Sequence, residues 1–199
     1  MNFKLILREL KHHTPFTLIA TILAVAITLM VYQKTIPTIL FESIHSAHIL
    51  ASSIVTAAMY YKYKENITNA LLIGITGAII IGSLSDIIFP HLGAILFNLK
   101  TEFHLPLIHA PFMIIPIAFF GSLIGIATKY TKLPHLIHVF FSIFASLFYL
   151  LMFGITINLL NGIIIFLIVF IAVIIPCCVS DIIYPLLFLK PQQDNGKKV

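Results

Sequence analysis

Six apolar windows, 15–33, 37–61, 69–97, 110–128, 133–153 and 162–180, set the terms for how this chain can fold. Each approaches or exceeds the roughly 20 residues that a helix needs to cross a bilayer core about 30 Å thick. Lipid offers no hydrogen bonds, so a spanning segment must satisfy its own backbone, and windows of this length do so as helices. Only 10% of the 199 residues are charged and 60% are hydrophobic, a ratio that a water-soluble domain of this size could not hide in one core. The expected fold is therefore all-α: one polytopic integral membrane domain over 1–199 with six transmembrane helices.

Residues 1–14 mix Lys4, Arg8, Glu9, Lys11, His12 and His13 with Phe3, Leu5, Ile6, Leu7 and Leu10. That pattern predicts a short amphipathic helix lying on the membrane surface. The apolar stretch behind it is longer than a signal-peptide core and lacks a small-residue cleavage site, so 15–33 is read as a retained span. Basic residues then set the orientation. With the N-terminus in the cytoplasm, Lys4, Arg8, Lys11, Lys62, Lys64, Lys129, Lys132, Lys190, Lys197 and Lys198 fall inside, and only Lys34 and Lys100 outside. This asymmetry predicts a multi-pass protein of the cell membrane with both termini cytoplasmic, the polar tail 191–199 included. It also accounts for the net charge of +5 without a nucleic-acid partner.

The chain carries an internal repeat. Ser85-Asp86-Ile87-Ile88-Phe89-Pro90 is echoed by Ser180-Asp181-Ile182-Ile183-Tyr184-Pro185, and the match in aspartate carries weight because there are only three aspartates. Upstream, His45 and His48 are matched by His135 and His138, Ser52 by Ser142, and Thr56 by Ser146. These four positions share one helical face in each copy, giving a stripe of two imidazoles and two hydroxyls on an otherwise apolar helix. Copies assigned to 15–99 and 100–190 contain three spans each. An odd number inverts one copy relative to the other, so the expected architecture is a three-plus-three inverted repeat, as in many secondary transporters. In that arrangement the first His pair and Asp86 lie toward the outside, the second pair and Asp181 toward the inside.

Ionisable groups in a bilayer are costly, about 2.5–3.5 kcal/mol for a central aspartate, which makes them functional candidates. Asp86 and Asp181 each precede an Ile-Ile-aromatic-Pro segment, and proline is expected to break or turn the helix there. A His-x-x-His spacing offers two imidazoles to a divalent transition metal, with a carboxylate to complete the set. The candidate metal ligands are thus His45, His48, His135, His138, Asp86 and Asp181. Ser52, Thr56, Ser142 and Ser146 would line an ion path between the two aspartates. A third cluster, Glu42, His91, Glu102, His104 and His109, suggests a cation-collecting vestibule on the outer side. The segment 91–99 is too short to span and reads as re-entrant or interfacial. Gly74, Gly77, Gly82, Gly121 and Gly125 suit close helix packing, and the neighbouring Cys177 and Cys178 read as small apolar residues.

Several activities are disfavoured. The metalloprotease, Walker A, nucleophile-elbow and dinucleotide motifs are missing, and Arg8 is the sole arginine. No catalytic residue is expected. The pattern favours a small non-enzymatic transporter for a divalent transition-metal cation coupled to protons, which leave His and Asp when a metal arrives. Its partners would be the lipid bilayer and the cation, with self-association into a homo-oligomer left open. Two alternatives remain at this level: a haem-binding electron carrier using imidazoles from different helices, and a structural or accessory subunit whose polar stripes contact another protein.

Overall fold

The computed structural model describes Pro15, Leu18, Ile19, 21–24, Ala26, 36–130, 132–155, 158–178 and 184–188. The elements of these residues are all helical: α1 (Thr38–Tyr63), α2 (Ile67–Ser83), a π turn (Leu84–Ile88), α3 (Phe89–Leu96), α4 (Pro106–His109), α5 (Pro111–Thr128), α6 (Lys132–Leu151), α7 (Leu159–Cys178) and α8 (Tyr184–Leu187). Four helices are long and apolar enough to cross a membrane: Thr38–Tyr63, the continuous run Ile67–Leu96, Pro111–Thr128 and Leu159–Pro176. They fall on windows 37–61, 69–97, 110–128 and 162–180. The apolar part of α6, Ile137–Leu151, is shorter. Window 15–33 is described only at scattered helical positions, and the N-terminal segment 1–14 and the tail 191–199 lie outside the described residues.

The distribution of polarity is that of a protein solvated by lipid. Phe112 is 94% exposed and Leu159 81%, and Ile39, Leu72, Phe120 and Leu160 are also at the surface, whereas His45, His48, Asp86, His138, Ser142 and Ser146 are buried. In water this arrangement would be penalised on both counts, since burial of polar groups costs free energy and exposed apolar area forgoes it. In a bilayer the exposed apolar area costs nothing, because lipid tails are as apolar as the side chains, and the polar groups belong inside, where they need only find one another.

Proline does not break the second span. The helix passes through the π turn, in which the Phe89 N–H bonds to Leu84 O five residues back, and resumes as α3 with Pro90 in its first turn. In α geometry the Pro90 ring would press on the carbonyl of Asp86, four residues earlier. Adding one residue to the ring moves that carbonyl aside, so the chain widens instead of breaking. The expected re-entrant segment 91–99 is corrected with it: residues up to Leu96 are the last turns of the same span, which ends in a turn at Phe97 and Asn98, the latter with φ of 53°.

Helix α1 is the hub, packed against α2, α5 and α6. Its approach to α5 needs glycine: a Cβ at Gly121 would lie 2.7 Å from the Leu50 carbonyl oxygen, and one at Gly125 would collide with the Ile54 carbonyl. Against α6, Phe41 meets Tyr149 with ring centroids 5.5 Å apart, while His48 meets His138 at 4.5 Å. An earlier residue of α1 is paired with a later residue of α6, so the two helices run antiparallel and cross beside the histidines.

Candidate metal centre

Three elements build the site. His45 and His48 occupy adjacent positions on one face of α1, three residues apart, which stacks their side chains along the helix. Asp86 comes from the π turn of the second span, and α6 closes the far side. All three side chains are at most 1% exposed.

A single oxygen holds both imidazoles. Asp86 Oδ2 lies 2.8 Å from His45 Nδ1 and 2.6 Å from His48 Nδ1. An ionised carboxylate can only accept, so each ring carries its proton on Nδ1. The other oxygen, Oδ1, accepts from Ser85 Oγ at 2.7 Å and from Ser142 Oγ at 3.1 Å. Four donors from three elements thus replace the water that a buried carboxylate has lost, which is the condition for keeping such a group inside a bilayer. Beyond this set, His48 Nε2 and His138 Nδ1 are 2.9 Å apart. Ser146 Oγ donates to the carbonyls of Ser85 (3.0 Å) and Ser142 (2.7 Å), tying α6 to the π turn.

The donor set fits a small transition-metal ion. Among the described residues, His45, His48 and Asp86 are the one group of three His, Cys, Asp or Glu side chains whose ligand atoms all lie within 4.8 Å of one another. Two nitrogens and one oxygen suit zinc and its first-row neighbours better than calcium or magnesium, which take all-oxygen shells, or Cu(I), which prefers sulfur. Bonds of about 2.0–2.2 Å in tetrahedral geometry separate ligand atoms by roughly 3.3–3.5 Å. The present N···O distances of 2.6 and 2.8 Å are hydrogen-bond distances, so an arriving ion would displace the two Nδ1 protons and spread the ligands by roughly 0.5–0.9 Å. Three protein ligands would leave a fourth position for water or exchange.

The sequence-predicted residues divide into groups. His45, His48, Asp86, His138, Ser142 and Ser146 converge on one cluster, and the His135 ring lies 6.0 Å from that of His138. The sequence places the two His pairs toward opposite faces; in the fold α1 and α6 cross near them, and His48 and His138 are in contact. Ser52 and Thr56 are buried along the same face of α1, and the Thr56 hydroxyl has no hydrogen-bond partner among the described residues. Asp181 lies outside the described residues. Of the third cluster, His104 Nε2 bonds Glu42 Oε1 at 2.9 Å and its ring stacks on His109 at 5.2 Å. His91 pairs with Thr101 instead, and the Glu102 carbonyl accepts from the Tyr149 hydroxyl.

Two contributors were not singled out from sequence. Ser85 stands inside the repeated hexapeptide, so the repeat itself could have flagged it. Phe41 had no such signal. It is fully buried, stacks on His45 (5.8 Å) and meets His104 edge-on (6.1 Å), separating the buried triad from the Glu42–His104 pair.

Comparison of the chain with protein-family models, with curated proteins and with solved structures finds no match.

Proposed function

We propose that this chain is a small secondary transporter that carries a divalent transition-metal cation, with protons as the coupling ion, and that it is not an enzyme. The observation that carries the reading is the fully buried carboxylate of Asp86 gripping two imidazoles from one helix and accepting from the Ser142 hydroxyl of another, whose His138 meets His48. A purely structural ion-pair network tends to be a poor stabiliser, because desolvation consumes most of what the pairing returns. A site that must hold a cation and release it has a use for the same groups.

In this reading the six spans form a three-plus-three inverted repeat with both termini in the cytoplasm. Support comes from the antiparallel crossing of α1 and α6 and from the contact between His48 and its repeat equivalent His138. Sidedness draws on charge placement: Lys129 bonds Glu65 at 3.1 Å and lies over the Tyr61 ring, gathering the basic α1–α2 and α5–α6 connections at one end. Asp181 takes the role in the second copy that Asp86 has in the first. Ser52 and Thr56 continue the polar route along α1, and Glu42, His104 and His109 collect cations outside.

The deciding experiment is flux of Zn²⁺, Mn²⁺ and Co²⁺ into proteoliposomes, with acidification or alkalinisation read by a trapped dye. The native chain should move at least one of these ions with opposite proton flow. Unchanged flux in the Asp86→Ala, Asp181→Ala double variant would sink the proposal.

A further inference from the structure

His48 is engaged through both ring nitrogens, Nδ1 with Asp86 Oδ2 and Nε2 with His138 Nδ1. A neutral imidazole has one N–H and one lone pair. When Nδ1 gives its lone pair to a cation, the ring proton must sit on Nε2, and a buried N–H without an acceptor is costly. Without an ion, the His48 proton is on Nδ1 and Nε2 accepts from Nδ1–H of His138, 2.9 Å away on a side chain only 1% exposed; with an ion on His48 Nδ1 the bond reverses, His138 Nδ1 becoming the acceptor as its own proton moves to Nε2. His138 Nδ1 lies across the ring from His48 Nδ1 and so cannot bind the same ion.

We propose that His138 is the positioning residue of the cation site: its Nδ1 accepts from His48 Nε2–H and holds His48 in the tautomer that presents Nδ1 to the ion. The inference rests on the reading of His45, His48 and Asp86 as ion ligands and adds to it a residue on a separate helix. Metal-bound histidines usually donate their second N–H to a carboxylate or carbonyl, which accept unconditionally. An imidazole accepts only while its own proton is on the other nitrogen and its helix stays in place. Ion grip therefore depends on how α6 crosses α1. A shift between these helices removes the acceptor from His48 and loosens the ion without moving any ligand off α1, which is the behaviour a transport site requires of its release step.

The test uses the full chain in detergent, titrated with Co²⁺ as a spectroscopic probe and with Zn²⁺ in competition. His138→Leu removes the acceptor, whereas His138→Asn places an amide oxygen close to where Nδ1 stood. The leucine variant should bind Co²⁺ about 10–100-fold more weakly, the usual effect of losing an outer-sphere partner, with a changed visible spectrum as the His48 ring reorients. The asparagine variant should recover most of the affinity and the native spectrum. Leucine binding with native affinity and spectrum would overturn the assignment, as would asparagine binding as weakly as leucine, which would point to a direct ligand or a purely steric role. Should the native chain bind neither ion, the ligand reading itself falls, an outcome distinct from the other two. A circular-dichroism melt without metal separates misfolding from loss of the site.

Discussion

Replacing Asp86 separates the structural demand on this position from its chemical one. Asp86→Asn keeps the shape: the amide oxygen can face His45 Nδ1 and His48 Nδ1, and the amide nitrogen can face Ser85 and Ser142, whose hydroxyls turn to accept. What is lost is charge assistance, about 1–2 kcal/mol over the set. Asp86→Leu removes the acceptor altogether. Ser85 can fall back on the Gly82 carbonyl at 3.2 Å, but the two imidazoles and the Ser142 hydroxyl are left without their partner. At about 1–3 kcal/mol for each buried unsatisfied group, the penalty is roughly 3–9 kcal/mol, comparable with the whole stability of a typical domain. The asparagine variant should therefore fold and the leucine variant should fold poorly or not at all. Binding should behave otherwise. Asparagine removes the anionic ligand, and because outer-sphere losses already cost 10–100-fold, Zn²⁺ affinity should fall by at least about 100-fold, or about 2.7 kcal/mol. The chain has no tryptophan, so unfolding is best followed by far-ultraviolet circular dichroism and binding by competition with a metal indicator. If Asp86→Asn binds Zn²⁺ within tenfold of the native chain, or if Asp86→Leu melts where Asp86→Asn does, the account of a four-donor carboxylate acting as a ligand is refuted.

Other perturbations probe the frame around the site. Gly125→Ala sets a methyl group against the Ile54 carbonyl and should destabilise the α1–α5 contact by about 1–3 kcal/mol, visible as a lowered melting midpoint with little change in Zn²⁺ affinity once folded. Ser142→Ala deletes one donor to Asp86 and leaves three, so a loss of about 1–2 kcal/mol in stability is expected, again by thermal melt. Phe41→Leu thins the barrier between His45 and the Glu42–His104 pair; modification of His45 by diethyl pyrocarbonate should become faster, and an unchanged rate would remove Phe41 as a barrier.

Much of the fold is visible in hydropathy because lipid imposes one requirement on every spanning segment, and a run of apolar residues meets it wherever it packs. The windows at 37–61, 69–97, 110–128 and 162–180 match helices to within a few residues for that reason. His45, His48 and Asp86 were legible as costly residues at fixed spacing, and the serines of α6 through the repeat. The π turn was not. Proline signals only that α geometry is strained at the Asp86 carbonyl, and whether the chain breaks or absorbs one more residue depends on the packing of the turn against α6 and α7. Convergence was hidden too, since sequence orders the two His pairs along their own helices but says nothing about where antiparallel helices cross.

That crossing carries a consequence for mechanism. If the repeat is inverted, a residue can touch its own equivalent only on the axis relating the copies, as in any isologous contact. His48 and His138 touch, yet the contact is not symmetric: Nε2 of one faces Nδ1 of the other. A single N–H···N bond has a direction, so the two halves cannot adopt the same state at once. The mirror arrangement, with His138 Nε2 facing His48 Nδ1, would occupy the nitrogen that His48 needs for the ion and free the corresponding nitrogen of His138. In an inverted repeat, two near-equivalent sequences would thereby be offered two opposed conformations, and a ligand that prefers one of them would shift the population by its differential affinity alone. In the proposed transporter, alternating access would ask for no more than this: the pair of histidines at the crossing would make loading one half incompatible with loading the other.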